Sequence, residues 1–176
     1  IEGYQPGADE DMQIDAVLAG PRYFTNMRVP FVQGRDFEER DREGAPCVAV
    51  VNEVFGEKYF RGSNPLGKHL MKYGGARNAP RVPCEIVGVI RDDEWQSLEK
   101  QVHPFYALAL QQTERKEFTL LASTAGDPKS LIGAVRNTIR ELDPKIPVAD
   151  VQTLGDYFSV GLYPFRMLAV VMGGCG

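Results

Sequence analysis

Two short apolar runs constrain the fold most: Val48-Ala49-Val50-Val51 and Ile86-Val87-Gly88-Val89-Ile90. Both are rich in β-branched residues, and both are too continuous for a strand with one wet face. They predict two buried strands, Val48–Asn52 and Glu85–Ile90. Asn52 then stands where it caps a helix over Glu53–Phe60, with Val54, Phe55, Tyr59 and Phe60 on the inward side and Gly62 ending it. The tight-turn signal Asn64-Pro65-Leu66-Gly67 leads into a further strand around Lys68–Lys72.

Less continuous patterns fill in the rest. Gln13–Leu18 alternates as a strand. Gly20-Pro21 opens a short helix over Pro21–Met27, stopped by Pro30, and Gly34 marks a turn. Asp36–Glu43 carries both charge signs and reads as a solvated surface turn. Tyr73–Pro83 is dense in glycine and proline and reads as an exposed hairpin or loop; Arg91–Gln101 is polar around Trp95. Further strands are expected at Phe105–Leu110, Phe118–Ser123 and Val148–Val151. The clearest helix starts at Asp127-Pro128 and carries Leu131, Ile132, Val135, Ile139 and Leu142 as one apolar stripe, ending at Asp143-Pro144. Leu154–Leu162 closes the pattern as a helix or an extended segment.

Hairpin-length links and helical crossovers are interleaved, which predicts an α+β fold with mixed β-sheets. Two lobes are expected over residues 1–165. A porter-like strand-helix-strand lobe takes residues 1–45 and 100–165, and an inserted lobe takes 46–98.

Composition excludes several functions. The 176 residues are 43% hydrophobic and 25% charged, enough for a real core. A net charge of -4 with no basic stripe argues against nucleic acid and against docking on anionic lipid. The chain begins at Ile1 without a signal-peptide pattern, as a processed or excised segment would. After Arg166, the run Met167–Met172 is too short to span a bilayer. It reads either as a core helix or tail, or as the first turns of a truncated transmembrane helix over residues 166–176.

The search for chemistry is empty. No G-x-S-x-G elbow, no G-x-G-x-x-G and no Walker pattern occurs. His69 and His103 have no ligand-spaced partner, and a meeting of His69 with Cys84 is the weakest of the metal readings. The carboxylates of Asp36–Glu43 lack calcium-loop spacing. Cys47 and Cys84 each follow a proline and open a strand. They meet only if those strands are neighbours in register, and two separate free thiols are the favoured reading. No catalytic, cofactor-binding or metal-binding residue is expected, and no enzyme.

The ordered motifs resemble a family. Tyr23-Phe24, Met27, Gly34-Arg35-Asp36-Phe37, Val48–Glu53 with Tyr59-Phe60, Asn64-Pro65-Leu66-Gly67-Lys68, Glu85–Asp92 and Ala125-Gly126-Asp127-Pro128 together resemble the MacB-like periplasmic core domain of MacB/FtsX-type permeases. The pattern looks most like the large permeases of acidobacteria and their relatives. The resemblance implies an inner-membrane permease with this domain on the periplasmic side. It also implies a cytoplasmic ATPase partner, a homodimer or pseudo-dimer, and ATP-driven motion used for export or on periplasmic partners. It favours the truncated-helix reading of the C-terminal tail. A ligand- or peptide-sensing domain on the same kind of membrane protein is the alternative, and a stand-alone enzyme is the weakest.

Overall fold

The computed structural model describes residues 1, 4, 7, 14–72, 80–92, 103–113 and 117–157. Its strands are β1 (Asp15–Ala19), β2 (Phe31–Gly34), β3 (Val48–Asn52), β4 (His69–Lys72), β5 (Val82–Ile90) and β6 (Phe105–Ala109). Its helices are α1 (Tyr23–Asn26), α2 (Glu53–Phe60) and α3 (Leu131–Leu142). The architecture is α+β around one mixed sheet. The strand order is β1-β6-β3-β5-β2, with β4 also on β5. β1 runs parallel to β6 and β3 parallel to β5; the remaining pairs are antiparallel. Strands from both expected lobes share this sheet.

β3 lies at its centre and is buried along its whole length. Its alternate residues feed two cores. Val48 and Val50 join Phe24, Phe37, Ile90 and Phe105 on one face. Ala49 and Val51 join Phe55, Tyr59, Ile86 and Leu108 on the other, under α2. A strand wetted on neither face has no room for a polar residue until its end, which is why the run reads as continuous.

Compact packing divides the chain into two units, Ile1–Leu121 and Ala122–Gly176. The first holds the sheet. In the second, Asp127 accepts from the Lys129 N–H at 3.0 Å, and a 3-10 turn over Pro128–Ser130 feeds α3. Asp143 closes α3 by donating its N–H to Ile139. None of α3's residues is fully buried. Residues 154–157 form a helical turn.

Four expectations are corrected. Phe118–Ser123 and Val148–Val151 lie in no strand. A β-prone sequence supplies extended backbone but not a ladder partner, and Phe118 and Leu120 remain 67% and 60% exposed. The favoured free thiols are instead a disulfide between Cys47 and Cys84, Cα atoms 4.4 Å apart. The parallel register of β3 on β5 sets Val48 opposite Glu85 and so brings the two preceding cysteines together. The Pro21–Met27 helix shrinks to α1 because Arg22 adopts a left-handed backbone, φ 59°. Residues 73–79 of the expected hairpin or loop, Trp95, and residues 158–176, with the rest of Leu154–Leu162 and the tail, lie outside the described residues.

Candidate functional site

The Gly34–Phe37 and Asn64–Lys68 motifs converge on one edge of the sheet, where β2 and β4 meet β5. In Gly34-Arg35-Asp36-Phe37 each residue has a separate task. Gly34 has φ 77°, and a Cβ there would meet the Val87 carbonyl and come within 2.7 Å of Leu66 Cδ1. Arg35 donates from its two terminal nitrogens to Asp41, at 2.7 and 2.9 Å. Asp36 accepts from both the N–H and the hydroxyl of Thr25 at 2.8 Å, tying the loop to α1. Phe37 is buried in the core.

Asn64-Pro65-Leu66-Gly67 builds the other half of the junction. Asn64 Oδ1 accepts from the Leu66 N–H at 3.0 Å, and Lys68 N–H closes the turn on Pro65 O at 3.0 Å. Gly67, φ 77°, donates its N–H to Ile86 O at 2.8 Å. The ring of Pro65 lies against α2 at Gly56. Between the two motifs β5 is irregular. Ala49 pairs with Ile86 and Val50 with Gly88, so Val87 is the extra residue of a bulge. Its carbonyl, freed from the ladder to β3, accepts from the Arg35 N–H at 2.9 Å.

Electrostatics at this junction are those of a brace. Burial pushes the Asp41 carboxyl upward. The Arg35 hydrogen bonds, the Glu38 N–H and the charges of Arg35 and Arg40 outweigh it, so the carboxyl ends below its ordinary value of 3.8. The mixed-charge turn expected over Asp36–Glu43 is therefore solvated only in part, since Asp41 is 5% exposed. A lowered carboxylate stabilises the fold above its ordinary value and gives that up as pH falls through its folded value, below about pH 4. Arg35→Ala is expected to cost about 2–3 kcal/mol at pH 7, discounted from a fully buried pair because Arg35 is 29% exposed. The cost should be smaller at pH 3 than at pH 7, because the stability held by a lowered carboxylate is given up as pH falls. Urea unfolding of both proteins at the two pH values checks this.

At the opposite end of β3, Asn52 is fully buried and fully bonded. Its Oδ1 accepts from the N–H groups of Phe55 and Phe105 at 3.0 and 2.9 Å, and its amide donates to His103 O at 3.0 Å. Beside it Asp92 accepts from the Val54 N–H at 3.1 Å and donates its own N–H to Glu53. Burial, then the nearby Glu53 and Glu57 charges, raise the Asp92 carboxyl above its ordinary value despite its hydrogen bonds. Its sign is opposite to that of Asp41: it favours folding at low pH and costs stability as pH rises through its folded value.

His69 sits in β4 opposite Glu85, Cys84 is held in the disulfide, and His103 contributes its backbone carbonyl. Among the described residues no three His, Cys, Asp or Glu side chains converge on a metal position. Aromatic residues pack against one another in the two cores, edge-on for Phe24 with Phe31 and for Phe55 with Tyr59. Arg40, Arg42, Glu43, Gly44 and Ala45 line an open depression.

Sequence reasoning missed Gly88, Asp41, Asp92 and Gln112, whose amide bonds Val48 N–H and Pro46 O and so pins the entry to β3. Only Gly88 left a signal, as a lone glycine inside a buried apolar run.

A profile of the MacB-like periplasmic core domain matches residues 3–142. The chain belongs to this family. As a MacB-like periplasmic core domain it is an extracytoplasmic domain of the kind carried by ABC-type transporter permeases. The pyoverdine export ATP-binding/permease protein PvdT of Pseudomonas aeruginosa is 26% identical over 101 residues, 53% of this chain and 14% of that protein. The chain thus spans a small part of that relative's length. The periplasmic region of MacB from Actinobacillus actinomycetemcomitans is similar with a TM-score of 0.47 at 21% identity, over 70% of this chain and 54% of that one. The extracellular domain of the noncanonic ABC-type transporter YknZ from Gram-positive bacteria gives 0.41 at 20%, over 60% and 48%. No described helix is long and apolar enough to cross a membrane.

Proposed function

We propose that this MacB-like domain conveys ATP-driven conformational change in its parent permease across the inner membrane, for export or for action on periplasmic partners. The domain works as a non-enzymatic lever in a dimeric permease, and a cytoplasmic ATPase drives it through the flanking membrane helices. The family match over residues 3–142 carries this reading. Two physical features agree with it. The Cys47–Cys84 bond suits an oxidising compartment. The sheet is braced at both ends of β3, by Arg35–Asp41 and the Val87 bulge near one and by Asn52 at the other. A body that moves another must itself resist deformation.

The test uses the intact permease with its ATPase in a lipid bilayer. A spin label replaces exposed Ser63, in the loop after α2, through Ser63→Cys. Between nucleotide-free and ATP-trapped states the distance between labels on two protomers should shift by several ångströms. An unchanged distribution, or no measurable pair, would count against the reading.

A further inference from the structure

The Cys47–Cys84 bond joins two positions of unequal access. Cys84 is fully buried beneath α2 with Phe55 and Leu70, whereas Cys47 is only half-buried, at the mouth of β3. Cys47 immediately precedes β3 and Cys84 lies within β5, and the Glu85 N–H already donates to Cys47 O at 2.8 Å. The loop they close spans 37 residues, including α2 and β4. In an unfolded chain such a closure is entropically unfavourable and competes with other pairings. Once β3 pairs with β5, the two Cα atoms stand 4.4 Å apart and the thiols are held within reach.

We infer that the bond is installed after β3 and β5 have paired, by a partner protein carrying a reactive disulfide, and that this partner engages Cys47. The inference rests on the extracytoplasmic reading, since a reducing compartment would oppose the bond. The exchange balances in two steps. The Cys47 thiolate attacks one sulfur of the partner's disulfide; that S–S bond breaks and the second partner sulfur leaves as a thiolate. Cys84, deprotonated, then attacks the Cys47 sulfur and expels the first partner sulfur. The partner ends as a dithiol, two electrons richer, and takes up the two protons lost by Cys47 and Cys84. Burial fixes the order: a protein-sized oxidant reaches Cys47 while Cys84 stays covered.

The experiment uses the full-length permease in its own membrane. Non-reducing peptide mass spectrometry should find Cys47 linked to Cys84. After mild reduction of the native protein, Cys47 should alkylate at least about tenfold faster than Cys84, following exposure. Cys84→Ser should trap a mixed disulfide on Cys47, and Cys47→Ser should trap far less on Cys84. Equal trapping by both variants, equal alkylation rates, or two free thiols in the unaltered protein would each overturn the inference. A membrane-impermeant maleimide on Ser63→Cys separates the two ideas. Free thiols with labelling from outside overturn the inference alone; labelling only after permeabilisation overturns the extracytoplasmic reading and the inference with it.

Discussion

Gly88→Val is expected to leave no folded sheet. A Cβ at Gly88 would meet the Arg35 carbonyl and lie 2.6 Å from Phe31 Cε1, and neither obstacle is the free end of a flexible chain. Gly88 faces Gly34 across β2 and β5, directly beside the bulge at Val87. Two strands and a bulge are therefore held closer than side chains permit. Relief requires β2 to peel from β5, which also breaks the Arg35–Val87 bond and uncovers the core around Phe31. The cost should exceed about 4 kcal/mol, in the range of severe overpacking. Gly88→Ala and Gly34→Ala should follow in the same direction, the latter with added strain from its φ of 77°. Urea unfolding followed by far-ultraviolet circular dichroism checks the order. A Gly88→Val protein with an unchanged midpoint would mean that β2 does not pair as described.

Asn52→Ala should be the next most damaging change. It removes one acceptor shared by two buried N–H groups, Phe55 and Phe105, and one donor to His103 O. Each buried backbone group left unmatched costs about 1–3 kcal/mol, so the two N–H groups and one carbonyl together cost at least about 3 kcal/mol. The loss should also be distributed. Exchange protection should fall at the start of α2 and the start of β6 together, because one side chain serves both. A loss confined to α2 would reduce Asn52 to an ordinary helix cap, worth about 1 kcal/mol.

Much of the sheet was legible because burial on both faces leaves an unbroken apolar run. β3 and α2 fall on the expected residues, Val48–Asn52 and Glu53–Phe60, and Asn52 caps as its position suggests. Pairing was not legible. Nothing in the local sequence says that β3 has β6 on one side and β5 on the other, and so nothing said that Cys47 and Cys84 meet. The same gap explains Phe118–Ser123 and Val148–Val151, where propensity is present and partners are not. The junction was half legible. Gly34 and Asn64-Pro65-Leu66-Gly67 announce turns. Asp41, by contrast, lies in a charge-rich stretch that looks wholly solvated, and only its geometry with Arg35 separates it from its neighbours.

Under the proposed function, the sheet would move as a braced body when the permease turns over ATP. Hydrogen exchange on the intact permease tests it most directly, with and without trapped ATP. The amides of Val50, Val51, Ile86 and Val89 should stay equally protected in both states. ATP-dependent loss of protection in β3 or β5 would contradict the account, because the domain would then be deforming and not carrying motion.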